Sequence, residues 1–571
     1  MIGRLIARQK PASTEAGASI VLDAKRKATG SRTKNRVVMT MAIFFGIYGV
    51  IGGRLVYLGV QEPGVAAAPG GRVLASRPDI VDRNGEVLAT DIKTASLFAE
   101  PKNIVDADEA LELLSTVLPD LDPEQTFNKL KSGAGFVWLK RQLSPKQQAD
   151  IMGLGLPGIG FRTETKRFYP GGPTASHILG LVNIDNQGIA GLEKYIDGQG
   201  LADLRELGLA TAGNLAPFRT TLDLRVQHIL HDELTNAMAR YHAIAAGAVV
   251  LNAKTGEIVA MASLPDFNPN NPVGAHDKDK FNRMTAGAFE MGSTIKSFTT
   301  AMALDSGKVN MNSRFDASRP ITIGRQTIRD FHGKGRVLTV PEVFIYSSNI
   351  GSAREADVVG IEGHREFLHR MGLLDRMTIE LPEIANPAEP KVWKKVHSIT
   401  ISFGHGMTTT PLQTAVAAAA LMNGGKLFNP TLVPRSQEQA LASAKQVVSE
   451  DTSEKMRYLY RLNAEKGSGK RAEVPGYRVG GKTGTAEKVV NGRYSSNVRF
   501  NAFLAAFPMD DPQYIVLSII DEPKPEKPGM AATSGLNAAP VVANIIRRSA
   551  SFLGVKPEFG HESGALLVSY Q

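Results

Sequence analysis

The sequence predicts a multidomain α+β protein in three successive parts: an apolar N-terminal segment, an α+β region over residues 76–218, and a larger α+β domain over residues 219–554. Three observations predict it. At 571 residues and 43% apolar composition, the chain is too long for one ordinary domain and apolar enough for two or three cored ones. One long uncharged apolar run stands near the N-terminus behind a basic flank. Strand-like segments open and close the last part with helical patterns between them, which suggests one sheet built from both termini of that domain.

Residues 1–36 hold 9 Lys/Arg against 2 acids, and they account for most of the net charge of +10. The remainder is nearly balanced, so the charge does not point to nucleic acid. From Val37 to Gly53 the run VVMTMAIFFGIYGVIGG carries no charge, and its continuation to Val60 reaches the ~20 residues a bilayer needs. Arg54 then reaches the far interface by snorkelling. A membrane helix over 37–60 with a cytoplasmic basic tail over 1–36 leaves the rest of the chain outside. A buried core helix would rarely carry a basic flank on one side only. The rival is a cleavable signal peptide with its site at Ala66-Ala67-Ala68, for which both the 36-residue lead and the apolar core are long. Residues 61–75, rich in Gly, Ala and Pro, suit a linker. The absence of cysteine excludes disulfides and thiolate catalysis and weakens a zinc site.

Beyond the linker, Asn84-Gly85 between IVDR and EVLATD predicts a β-hairpin. Residues 105–155 alternate charged and leucine-rich segments at helical spacing, and 161–195 read as loop-rich around Tyr169-Pro170-Gly171-Gly172-Pro173. The next unit begins near Thr220 with a helix that places Leu224, Ile229, Leu230, Leu234 and Met238 close to one face. AAGAVVLN and EIVAMAS follow as two strands joined at Ala253-Lys254-Thr255-Gly256. FNAFLAAFP and QYIVLSII read as adjacent strands, and GLNAAPVVANIIRRSASFLG as a closing helix. Residues 555–571 form a tail with no strong pattern.

Three short patterns carry the chemistry: Ser293-x-x-Lys296, Ser347-x-Asn349 and Lys482-Thr483-Gly484. Each has a second copy, at Ser31/Lys34, Ser495/Asn497 and Lys254-Thr255-Gly256. The first of these copies reads as basic flank, the last as a turn, and the Ser495 copy as part of a polar loop, NGRYSSNVRF. In the remaining ordered set, Ser293 and Lys296 fall on one helix face, so that a neutral lysine serves the serine nucleophile as base. An ordinary lysine pKa is about 10.4, so this role requires desolvation or a nearby cation, for which Lys482 is the candidate. Ser347 is expected to relay a proton to the leaving amine, and Asn349 either to bind the substrate amide or to fix Lys296. Gly480-Gly481 allow close backbone approach, with Thr483, Gly484 and Thr485 as substrate-binding residues and the N–H groups of Ser293 and Thr485 as the expected oxyanion donors. His177 is read as a hydrogen-bonded loop histidine, and His405 as either that or a substrate-side residue. Arg167, Glu193 and Asp82 are read as a polar core, and Glu290 as ordinary first-turn chemistry. No metal or cofactor is expected.

The ordered boxes are a signature of penicillin-binding proteins and class A β-lactamases. Together with GAVVLNAKTGEIVAMASLPDFNPN, FEMGSTIKSFT, SFGHGMTTTPLQ, VGGKTGTAEK and, upstream, RPDIVDRNGEVLA, RFYPGGPTASHILGLV and GIAGLEKYID, they make the chain resemble the class B penicillin-binding proteins over roughly residues 37–553. Within them it is most similar to the division-specific D,D-transpeptidases of the FtsI type. The middle box is Ser-Ser-Asn, matching at its outer residues. Pro78 stands where Gly is common, and His405 where Tyr or Gln is usual.

The resemblance implies a transpeptidase fold with a central antiparallel sheet flanked by helices, above a non-catalytic pedestal. It implies a serine acyl-enzyme on D-Ala-D-Ala stem peptides of peptidoglycan, acylation by β-lactams, and septal wall synthesis at the bacterial inner membrane. No glycosyltransferase region precedes the pedestal, so a polymerase of the FtsW type and other division proteins are the implied partners. The alternatives are an elongation-type transpeptidase, a β-lactamase, a β-lactam sensor and a silent scaffold. Against the β-lactamase stand the anchor, the pedestal and the lack of Glu-x-x-Leu-Asn between Asn349 and Lys482.

Overall fold

The computed structural model describes residues 38–39, 41–53, 76–201, 215–324, 326–490 and 492–559. Two compact units result, Met1–Arg72 and Val73–Gln571. In the first, residues 38–39 and 41–53 are helical with their side chains exposed. Among the described residues no helix is long and apolar enough to cross a membrane. Val37 and residues 54–60 of the expected span, the tail with Ser31, the linker 61–75 with Ala66–Ala68, and residues 560–571 lie outside the described residues.

The second unit opens with the expected hairpin, β1 (Ile80–Val81) against β2 (Val87–Ala99). Its turn needs Gly85 at φ +94°, and the Asp82 carboxylate accepts the N–H groups of Asn84 and Glu86 at 2.7 and 2.9 Å. Helices α1 (Ala107–Val117), α2 (Pro123–Leu130) and α3 (Pro145–Gly153) form in the stretch read as helical, capped by Asp106, Asp122 and Ser144. A strand, β3 (Val137–Leu143), interrupts them, and the stretch read as loop-rich begins with another, β4 (Ile159–Phe168). Both pair antiparallel with β2. These strands are half-buried: Val137, Leu139, Leu143, Ile159 and Phe161 pack into a small core with α1–α3, while the polar remainder of β4 is held by the ladder with β2. The polar core forms around Glu193, which ion-pairs with both Arg77 and Arg167 at 2.6 Å. Asp82 is not part of it. Its second oxygen accepts the Leu224 N–H at 3.1 Å, tying the hairpin to the next domain.

β5 (Phe218–Arg219) runs parallel to β1 and leads to α4 (Leu224–Tyr241), capped by Asp223. The expected strands are β6 (Ala245–Asn252) and β7 (Ile258–Leu264). The polypeptide returns to them through β8 (Gly480–Val490), β9 (Arg493–Phe507) and β10 (Tyr514–Asp521). The sheet runs β8-β9-β10-β6-β7, antiparallel throughout, so strands from both ends of the domain meet at β10 and β6. Alternate residues serve opposite faces. Val249 and Leu251 join one core with α5 (Lys296–Asp305) and α7 (Pro411–Met422), while Ala248 and Val250 join a second with α4 and α9 (Ala538–Ser549). Between α5 and α7 lies α6 (Asn349–Val359), and α8 (Glu450–Lys466) precedes β8.

The segment read as a polar loop around Ser495 is instead the first half of β9, where Ser495 pairs with Lys488 across a hairpin that outruns the rest of the sheet. Asn and Ser there face outward on a strand, which composition alone does not separate from a turn. Of the C-terminal tail, Val555 is buried and Glu558 donates its N–H to the Gly476 carbonyl at 2.8 Å.

Candidate active site

Ser293 sits in a 3₁₀ turn, Gly292–Thr294, directly ahead of α5. Backbones hold that turn. A Cβ on Gly292 (φ +54°) would stand 2.9 Å from the Thr485 carbonyl, one on Gly484 2.6 Å from the Met291 oxygen, and one on Gly404 (φ +96°) 2.0 Å from the Gly292 oxygen. The turn that carries Ser293 is therefore wedged between β8 and the Gly404–Gly406 loop with no room for side chains at these glycines. Glu290 does not lie in a first helical turn as expected. Its carboxylate accepts the Gly406 N–H at 2.8 Å and the Tyr494 hydroxyl at 2.9 Å, pinning that loop and the β8–β9 hairpin to the turn.

Lys296, the first residue of α5, is fully buried. Its Nζ donates to the Ser347 carbonyl at 2.6 Å and to Asn349 Oδ1 at 2.7 Å, and lies 3.2 Å from Ser347 Oγ. A neutral amine has two protons for the two pure acceptors and a lone pair left for a hydroxyl. Asn349 Nδ2 donates to the Arg329 carbonyl at 2.9 Å, so both ends of this amide fix Lys296 in place. Ser347 itself occupies the left-handed region, φ +55°, a strained conformation for serine that turns its hydroxyl and carbonyl toward the lysines. Lys482 on β8 is also fully buried, and its Nζ donates to Ser347 Oγ at 2.9 Å. One hydroxyl thus bridges two lysines.

Burial lowers the Lys296 pKa to about 7, against the opposing fields of Asp330 and Glu355. Burial also lowers Lys482, well below its ordinary value, and the Lys296 charge adds to the effect. Of the two routes read from the sequence, desolvation is the one that acts on Lys296, and the like-charge repulsion falls on Lys482. Burial thus favours the free amine at both lysines, and a charge on one disfavours a charge on the other.

The cleft in front of these groups has a volume of about 590 Å³ and is lined by Ser293, Ser347, Asn349, Thr483 and Thr485. Thr483 Oγ1 is 2.8 Å from Ser468 Oγ, and Thr485 Oγ1 accepts the Ser534 N–H at 3.2 Å. The second Lys-Thr-Gly copy stands elsewhere, at a turn where Lys254 pairs with Asp511. Among the described residues no cluster of His, Cys, Asp or Glu is arranged to hold a metal. His177 Nε2 donates to the Lys280 carbonyl at 2.7 Å, the hydrogen-bonded histidine that the sequence suggested. His405 lines the cleft, its ring edge-on to Tyr494, and burial lowers its pKa against the pull of Glu290.

Several cleft residues carry no motif in the sequence. Ser468, Lys470 and Arg471 from the segment after α8, Arg499 from β9 and the Phe331–His332 pair line the walls. Ser348, the unmatched middle of its box, caps α6, accepting the Gly351 N–H at 2.9 Å and donating to Asp330 at 2.7 Å. A serine three residues ahead of a small helical residue was the available signal for that cap.

Residues 246–547 match the family model of the penicillin binding protein transpeptidase domain, and residues 72–199 that of the penicillin-binding protein dimerisation domain. The chain is 39% identical over 494 residues to the probable peptidoglycan D,D-transpeptidase FtsI of Caulobacter vibrioides, covering 85% of this chain and 82% of that one. It is 34% identical over 562 residues to the probable peptidoglycan D,D-transpeptidase PenA of Neisseria gonorrhoeae, covering 93% and 95%. With the peptidoglycan D,D-transpeptidase FtsI of Escherichia coli it shares 29% over 541 residues, covering 89% and 90%.

Proposed function

The chain belongs to the penicillin-binding protein transpeptidase family, and from that membership we propose that it is a peptidoglycan D,D-transpeptidase of septal wall synthesis, working through an acyl-enzyme on Ser293. The observation that carries this reading is the Ser347 hydroxyl held between two buried lysines at the back of the cleft that Ser293 enters. Ser293 Oγ attacks the carbonyl of the D-Ala-D-Ala bond while Lys296 takes its proton. The N–H groups of Ser293 and Thr485 receive the developing oxyanion. The proton passes through Ser347 to the leaving D-Ala amine as the C–N bond breaks. An amine of a neighbouring stem peptide then attacks the ester, gives up a proton by the reverse route, and restores Ser293. Asn349 holds Lys296, and Lys482 with Thr483, Gly484 and Thr485 binds the substrate backbone and carboxylate. β-Lactams acylate the same serine.

The remainder of the reading assigns residues 76–218 as pedestal, 219–554 as transpeptidase domain, and 37–60 as a single membrane span with an inner basic tail. It places the active site in the periplasm and gives glycan synthesis to an FtsW-type partner. Labelling with a fluorescent penicillin tests the centre of it. The adduct is expected on the Ser293 peptide, absent in Ser293→Ala and retained in Ser31→Ala and Ser495→Ala. A stem-peptide thioester is consumed by the protein, whereas rapid turnover of bound penicillin would make it a β-lactamase instead.

A further inference from the structure

Behind the lysine pair, helices α5 and α6 pack together along a polar seam. Lys296 and Thr300, four apart, share one face of α5, and Asn349, Ser352 and Glu355, three apart, share one face of α6. Lys296, Thr300, Ser352 and Glu355 have almost no solvent exposure. Lys296 is bonded to Asn349 at the cleft end, and one turn deeper Thr300 Oγ1 donates to Glu355 Oε2 at 3.0 Å. Glu355 Oε1 and Ser352 Oγ have no hydrogen-bond partner among the described residues. A buried carboxylate served by one hydroxyl is costly, whereas the neutral acid carries no charge and leaves only one weakly demanding polar group unpaired.

The ionisable neighbours of α6 are engaged elsewhere or face solvent. Arg354 donates to the Asp316 carbonyl, Asp357 pairs with Lys395, and Glu342 pairs with Arg336. On the helix that follows, Arg365 and His369 meet Glu389, Arg370 meets Asp305, and Glu362 and Glu366 are exposed. His364 meets the Ser398 hydroxyl, and His397 the Val392 carbonyl. Arg314 and Asp316 are exposed, and Asp330 acts on Lys296 from the loop before the middle box. The charge that reaches Glu355 is that of Lys296.

We propose that Glu355 is a positioning residue for the acylation step, buried as the neutral acid and acting as the proton partner of Lys296, so that its ionisation holds Lys296 as the ammonium and silences the base. The proposal rests on Lys296 being that base. Burial pushes the Glu355 carboxyl up to about 8, against the opposing effects of Thr300 and Lys296, and this places its titration beside that of the lysine. The free amine with the neutral acid and the ammonium with the carboxylate bear the same number of protons. Only the first arrangement leaves a lone pair for Ser293.

The test is the pH dependence of Ser293 acylation by a fluorescent penicillin in the full-length protein, with Glu355→Gln and Thr300→Val beside the wild type. In the wild type two coupled groups spread the approach to the plateau over a broad span. Glu355→Gln is expected to rise as a single titration that meets the wild type on the far acid flank, where Glu355 is neutral, and to reach its plateau at lower pH, with a gain of about twofold where the two one-proton arrangements of the wild type are equally populated. Thr300→Val, which removes the one bond favouring the carboxylate, is expected to move the midpoint the same way by less, and it carries the comparison if Glu355→Gln does not fold. Profiles that superimpose on the wild type, or that move to higher pH, overturn the role of Glu355 while labelling of Ser293 persists. Absence of any Ser293 adduct in the wild type overturns the parent reading as well.

Discussion

Two regions of this molecule bury cations, and they treat them in opposite ways. In the pedestal, Arg77 and Arg167 enclose Glu193, with Asp197 and Asp91 on the outer sides. Burial works against the Arg167 charge, yet Glu193 and Asp91 outweigh it and raise its pKa above the ordinary arginine value. In the catalytic cleft, Lys296 and Lys482 are equally buried, but their hydrogen bonds go to neutral oxygens and to each other's serine. Desolvation there outweighs the fields of Asp330 and Glu355, neither of which bonds a lysine, and both pKa values fall. The same burial makes a permanent charge where carboxylates pair with it directly and a base where they act only from a distance.

The sharpest way to break this contrast is to delete one cation on each side. Lys296→Met is expected to slow Ser293 acylation by about 10²–10⁴, the worth of general-base assistance. It is also expected to raise the unfolding midpoint, because a group ill-suited to its site is replaced by an apolar one. Arg167→Met should do the reverse. It leaves a buried carboxylate short of a partner, at a cost of about 3–5 kcal/mol in thermal or denaturant unfolding, while folded molecules acylate at close to the parental rate. A stability loss in both variants would erase the distinction.

Next in size comes pH. Acylation requires the free amine of Lys296, so its rate is expected to fall about tenfold per unit below a midpoint near 7. Stability follows a different course. Glu355 keeps a proton when folded that it has released when unfolded, so stability falls as pH rises from 4.5 to about 8. Lys296 has lost a proton when folded that it keeps when unfolded, so stability rises as pH climbs from about 7 to 10.5. Between 7 and 8 the two offset each other. Unfolding midpoints of the wild type and Lys296→Met across pH 5–10 check this, since the alkaline rise should shrink in the variant to the part that Lys482 supplies.

The smallest effects separate the two Lys-Thr-Gly copies. Lys482→Ala is expected to weaken capture of carboxylate-bearing penicillins by about 10–100-fold, the scale of a charge-assisted hydrogen bond of 1.5–3 kcal/mol. Lys254→Ala, which removes an exposed pair with Asp511, should leave labelling unchanged and stability within about 0.5 kcal/mol. A matching loss in both would mean that the box is read by charge alone.

What could be read from the residues were features complete within a few positions. The hairpin at Asn84-Gly85, the helix from Leu224, the strands from Ala245 and Ile258 and the three boxes each state their own geometry locally. The features that escaped depend on partners far along the chain. β3 and β4 pair with β2, from which they are separated by helices and turns, and β4 carries a polar stretch, Arg162–Arg167, with no strand signal of its own. Ser348 works through Asp330, Thr483 through Ser468, and Thr300 through Glu355. Glu290 sits close enough to the nucleophile to be read as a helix-terminus acid, yet its bonds run to Gly406 and Tyr494, each more than a hundred residues away.

The three glycines around Ser293 have a consequence for how such a protein can change under antibiotic selection. Gly292, Gly404 and Gly484 place backbone against backbone, with 2.0–2.9 Å where a methyl group would have to go. No rotamer change can relieve such a contact, so any substitution there displaces the nucleophile itself and harms natural cross-linking together with drug capture. Resistance that preserves wall synthesis has to be written at the rim instead, in residues such as Phe331, whose side chain lines the cleft and is largely exposed.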